Sequence, residues 1–190
     1  MSTFADPNKA FVWLDGDIFR APAGTAIPTD PFAATVTSGT SPVVNWDAFG
    51  GVEAGFNVDP KRDLKPLTVW NRRTSPYKYV KGVLEERIKF RAVDFSKATA
   101  LTALQGGTIE EIGTSSGIFR WNPGQDEEFA ALFRVVDETG SAGFYVEKAT
   151  LATPPPRVFG GETLDGFEFE LLALSEVVPL TDFNPLVTTP

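Results

Sequence analysis

The chain has 190 residues, 42% of them hydrophobic, and a formal net charge of −8, so it can bury one sizeable core. It contains neither Cys nor His. That excludes disulfide frameworks, thiol nucleophiles, Cys-ligated zinc and any Ser-His-Asp triad, and it removes the commonest acid–base group.

Residues 1–10 read as a flexible arm without the basic and apolar regions of a secretory signal, so a cytoplasmic start is expected. Phe11–Leu14, Asp15-Gly16 and Asp17–Arg20 read as a hairpin, because Asp-Gly accepts the positive φ of a type I′ turn. Ala21 to Pro42, rich in Ala, Thr, Pro, Gly and Ser, reads as a long surface loop with too little apolar pattern to pack. Asn45 to Val58 carries Trp46, Phe49, Val52 and Phe56 between glycines, which suggests a short strand or bulged turn. Residues 59–78 read as a second, basic loop of a length that is uncommon unless it is functional.

Tyr79–Val93 is a long strand by period. Val80, Leu84, Ile88, Phe90 and Ala92 fall on one side, and Lys81, Glu85, Arg87, Lys89 and Arg91 on the other. Asp94 or Ser96 can cap the helix that follows, which carries Ala98, Leu101, Ala103 and Leu104 and stops at Gly106-Gly107. Further strands are expected near Ile118–Trp121, Glu127–Asp137, Phe144–Leu151 and Gly166–Leu174. Residues 178–190, with three prolines, read as a C-terminal arm. The predicted class is mainly β: one domain over 1–190, an antiparallel sandwich or barrel with one flanking helix, long loops and extended ends.

Charge is unevenly spread. Residues 57–91 hold ten basic and four acidic side chains, a net +6, which leaves −14 on the rest of the chain. Such a stretch suits a nucleic-acid patch, an acidic surface on another copy of the chain, or plain solvation. Arg72, Arg73 and Lys78 with Tyr77 and Tyr79 mix base and aromatic as single-strand binders do, although the acidic whole argues against that partner. Glu168-Phe169-Glu170 sets two acids on one strand face, a spacing some β-sandwich glycosidases use, and Trp13, Trp46, Trp70 and Trp121 offer sugar-stacking rings. A sugar-binding module is the milder form of that reading. The plain one is two glutamates in bulk water. No cofactor, metal or membrane segment is implied by any motif.

Phe11–Thr25 (FVWLDGDIFRAPAGT), followed by a Pro/Thr/Asp stretch, resembles the opening of major tail tube proteins of long-tailed, non-contractile phages of actinobacterial hosts. Trp46 to Gly55, with Gly51-Val52-Glu53-Ala54-Gly55 inside it, is similar to the glycine-flanked acidic turn those proteins place next. The order long strand, helix, Gly-Gly also matches theirs. The resemblance implies a non-enzymatic subunit of hexameric rings, stacked into a hollow tube through which the genome leaves for the host. It implies strands shared in an inner barrel, a long loop reaching an adjacent ring, and contacts from the terminal arms. The implied partners are tape measure, tail terminator and distal tail proteins, and DNA that passes without specific binding. On this basis Lys61, Arg62, Lys65, Arg72 and Arg73 are the candidate inter-ring contacts, and Glu168 and Glu170 candidate lumen-lining residues. The virion tail is the expected location, with the host cytoplasm during assembly. Tail terminators, head–tail completion proteins and capsid decoration proteins share this composition and stand as alternatives.

Overall fold

In a computed structural model of the chain, the residues described are 10–72, 74–137, 140–157, 159–184 and 186. The protein is mainly β with an antiparallel, curled sheet, as the periodicity predicts. In chain order the strands are β1 (Asp15–Pro22), β2 (Thr37–Ser38), β3 (Val44–Asn45), β4 (Asp47–Ala48), β5 (Val52–Leu67) and β6 (Lys78–Ala92). After α1 (Lys97–Leu104) come β7 (Thr108–Glu111), β8 (Phe119–Asn122), β9 (Phe129–Asp137), β10 (Gly140–Leu151), β11 (Phe167–Ala173) and β12 (Val177–Thr181). The main sheet runs β4-β1-β9-β10-β11-β6-β5, with β12 also paired to β10; β2–β3 and β7–β8 form separate two-stranded pairs. No helix among the described residues is long and apolar enough to cross a membrane.

The core is split by strand β9. Phe129 through Phe133 are all buried, and alternation sends them to two sides. Phe129, Ala131 and Phe133 join Phe49, Ile88, Phe90, Phe169 and Leu171 in one cluster. Ala130 and Leu132 join Phe19, Val36, Trp46 and Tyr145 in the other. The wall of this second cluster is the segment after β1 that reads as an unpacked loop. Polar anchors hold it there, since its sparse apolar residues lack a period. Tyr145 Oη donates to the Thr25 carbonyl (2.5 Å), Ser38 Oγ to that of Ala26 (2.6 Å), and Trp46 Nε1 to Ser38 Oγ (2.9 Å). The Arg134 guanidinium donates to Asp17 and to the carbonyls of Pro31 and Ala33.

Several expected elements are placed differently. Asp15-Gly16 is not a hairpin turn but the start of β1, with Gly16 opposite Val135. Glycine is required there by closeness, since a Cβ would sit 2.8 Å from the Arg134 carbonyl oxygen. Phe11 instead stacks on Trp13 and Phe183. The bulge expected before β5 lies inside it, where the register shifts between Glu53 and Phe56 and Gly55 takes φ +76°. Ser96 caps α1 by accepting from Thr99 N, whereas the Asp94 carboxylate accepts from Gly51 N. Strand β7 pairs with β8, a hairpin the sequence pattern does not disclose. Within the 178–190 stretch, Val178–Thr181 belong to β12, paired with Ala142–Tyr145 of β10. Pro179, which has no N–H, is tolerated because β12 pairs with β10 alone and is an edge strand.

Gly107 lies where the chain passes against its own backbone, and a Cβ there would run into the Asn122 carbonyl oxygen. Gly107→Ala is expected to cost about 1–3 kcal/mol through forced backbone displacement. Chemical denaturation reads this directly. An unchanged midpoint would mean that the Asn122–Gly124 turn yields freely.

Candidate functional site

Residues 59–78 are not a loop. Asp59–Leu67 form the second half of β5, and together with Lys78–Arg87 they make a two-stranded ribbon closed by residues 68–77. Register runs through Lys61↔Glu85, Arg62↔Leu84, Lys65↔Val80 and Leu67↔Lys78, and a second bulge falls between Arg62 and Leu64. Tyr77 N donates to the Leu67 carbonyl (2.8 Å) at the turn, and Arg72 N to that of Val69 (3.1 Å). Ten residues from Lys78 to Arg87 give the ribbon a reach of about 30 Å.

Neither face of this ribbon is covered. Residues 78–85 are all exposed, and the buried alternation of β6 begins only at Ile88. Val80 and Leu84, expected on the buried side, lie in solvent with Leu64, Tyr79 and Val83, the last 90% exposed. Pro60 and Pro66 fit here because β5 is the terminal strand of the sheet. A two-stranded ribbon of this kind is marginal in water by itself, and its apolar side chains lie in solvent on both faces.

Lys61, Arg62, Lys65 and Arg72 all lie on this ribbon or its turn and are exposed; Arg73 is outside the described residues. Lys61 Nζ sits 3.1 Å from Asp59 on its own strand, and Arg72 Nε donates to Ser75 Oγ (3.2 Å). Between Lys61 and Lys81, seven of the eight charged residues are basic.

Glu168 and Glu170 share the outer face of β11, as the alternation requires, and stand opposite Arg91 and Lys89 of β6. They border an open groove of about 430 Å³ with Glu53, Phe56, Lys89 and Arg91. Glu170 accepts from Arg87 Nη1 (3.0 Å) and lies 3.5 Å from Lys89 Nζ, Arg87 pairs also with Glu85, and Arg91 pairs with Glu53. The hydrogen bond from Arg87, helped by Lys89, holds the Glu170 carboxyl below its ordinary range. A glycosidase proton donor needs the opposite shift. The tryptophans do not converge on the groove either: Trp46 is buried in the second core cluster, Trp70 caps the ribbon, and Trp121 stacks on Phe167.

A carboxyl with a lowered folded-state pKa stabilises the fold fully above its unfolded-chain value, and the benefit disappears as pH falls through the folded value. Asp165, lowered by the hydrogen bond from Arg157, acts in the same direction. Melting temperature is therefore expected to drop once pH falls below about 4, and less steeply in Glu170→Gln. Coinciding pH profiles for the two proteins would remove the Arg87–Glu170 pair from that account.

The chain thus combines a mainly-β body, one side helix and a bare, basic ribbon that extends β5 and β6. The family model for phage tail tube proteins matches residues 4–153, and the chain belongs to that family. No curated protein matches the chain. The family is a structural component of the phage tail, which points to a non-enzymatic role and to the virion tail as its place.

Proposed function

We propose that this chain is the repeating unit of the tail tube of a long-tailed, non-contractile phage of an actinobacterial host. Six copies close into a ring, and rings stack head to tail into a hollow channel through which the genome is ejected. The observation that carries this reading is the ribbon of residues 59–87, whose two faces are open to solvent in the single copy. The free edge of β5, continuous with it, suits strand addition from a neighbouring subunit. Head-to-tail stacking is a heterologous contact and needs two different, complementary patches on each copy. Lys61, Arg62, Lys65, Arg72 and Arg73 supply the positive one.

The outer face of β11, with Glu168 and Glu170, is the proposed lining of the channel. Its cross-strand ion pairs leave no run of unopposed bases to hold phosphate, so DNA passes without specific binding. A tape measure protein occupies the lumen during assembly in the host cytoplasm, and terminator and distal tail proteins close the two ends. Negative-stain imaging of the concentrated protein tests the reading. Hollow cylinders of uniform width are expected. A compact monomer at high concentration and modest ionic strength, even beside its natural initiators, would overturn it.

A further inference from the structure

We infer that the surface receiving the ribbon is the β7–β8 hairpin of the next copy, with the turn between its strands. The inference rests on the stacked-ring reading and names the partner surface that reading leaves open. One face of this hairpin carries Ile109, Glu111, Phe119 and Trp121, by the register Ile109↔Trp121 and Glu111↔Phe119. Trp121 packs its ring on Phe167 of the body (centroids 6.2 Å apart). Ile109 opposite it, and Ile112, Ile118 and Phe119 farther out, are exposed. An isolated two-stranded hairpin with this much bare apolar surface is again marginal without a cover.

Charge selects the occupant. From Gln105 to Glu128 five of the six charged residues are acidic, with Arg120 the exception; Glu110 and Glu111 stand at the hairpin itself and are exposed. The outer part of the ribbon, from Lys61 to Lys81, presents the converse: apolar and aromatic side chains among seven bases and one acid. Each surface thus combines a bare apolar strip with a flank of one sign, and the signs are opposite. Two copies of either surface would repel one another, so the match is between unlike patches.

Position makes the match propagate. Strand β6 begins at Lys78, at the ribbon's far end, and finishes at Ala92, which pairs with Phe167, the residue under Trp121. The two surfaces therefore lie at opposite ends of one 15-residue strand, about 45–50 Å apart along it. A second copy displaced along that direction brings ribbon to hairpin, leaves a ribbon and a hairpin open at the two ends, and can repeat without limit.

The chain has no Cys, so an engineered pair supplies the only thiols. Asn71→Cys at the ribbon turn and Thr114→Cys at the β7–β8 turn, combined in one chain and assembled under oxidised glutathione, should give a ladder of linked multimers on a non-reducing gel. Either single variant should stop at dimers. Glu110→Lys with Glu111→Lys should raise the critical concentration for tube growth about tenfold or more, and adding Lys65→Glu and Lys81→Glu should recover most of it. Normal tubes that give no ladder, or that ignore the Glu110/Glu111 reversal, would overturn this contact while leaving the tube reading intact. Failure of the unmodified protein to form tubes at all would overturn both.

Discussion

Replacing residues 62–84 by Asn-Gly, so that the turn joins Lys61 to its register partner Glu85, should yield a folded protein that no longer assembles. Neither core cluster contains a residue between 59 and 87, so the excision removes no buried contact. Asn-Gly favours the type I′ turn that a two-residue hairpin needs. Stability should change by no more than about 0.5 kcal/mol, as for surface changes remote from the core, which is a shift of roughly 1–2 °C in Tm. Assembly should change far more. Trp70, Tyr77 and Tyr79 leave with the ribbon, and buried aromatic anchors at interfaces contribute about 1–2 kcal/mol or more each. Losing them weakens the contact between copies by more than about a hundredfold. Sedimentation velocity and imaging read the assembly, and circular dichroism the fold. Tubes from the shortened chain at the usual concentration would show that the ribbon is not the contact. A lost melting transition would show that it supports the fold after all.

Phe49→Ala is expected to have the largest effect on stability. Phe49 is fully buried, its ring edge-on to Phe90 (5.0 Å) and Phe169 (5.8 Å). Its backbone is also held from two sides: its N–H donates to the Ile18 carbonyl, and its carbonyl accepts from Thr99 Oγ1 of α1. The ring therefore fills the junction where the helix, β1 and the β6–β11 pair meet. Truncation leaves a cavity that three elements cannot collapse into, at a cost of about 3–5 kcal/mol. Against a total of about 5–15 kcal/mol, this should lower Tm by about 10 °C. Phe49→Leu should recover more than half of the loss in urea denaturation. Equal midpoints for Phe49→Ala and the parent would mean that the junction is loosely packed.

Elements with one buried face were legible from the sequence. The Ile88–Ala92 part of β6 and β11 carry a two-residue apolar period, because one side meets the core and the other water, whereas β9, buried on both sides, shows as a continuous apolar run. Helix α1 was legible from its cap and its glycine stop, although Ser96 alone serves as the cap and Gln105, at φ 49°, takes the left-handed position beside Gly106. The ribbon was not legible as strand. With both faces in solvent and two prolines on an edge, Asp59–Leu67 has no apolar face to display. Arg20 was missed for a different reason. It is buried with its guanidinium on Thr102 (2.8 Å), Glu127 (2.6 Å) and the Phe129 ring, partners 82 to 109 positions away in the chain. Burial lowers its pKa while Glu127 pulls the other way, and no local pattern announces such a network.

Composition and local period alone determined the mainly-β class, the lone helix after the long strand, and the basic stretch in an acidic chain. Those properties depend on neighbours a few residues apart, which a sequence records directly. Only the tertiary structure decided that the basic stretch is a projecting ribbon, that the segment after β1 closes a second core, and that Glu170 is held by Arg87 and Lys89. Each of these depends on which distant strands pair and in what register. Pairing is chosen by the sum of buried contacts over the whole sheet, a quantity no single stretch of residues contains.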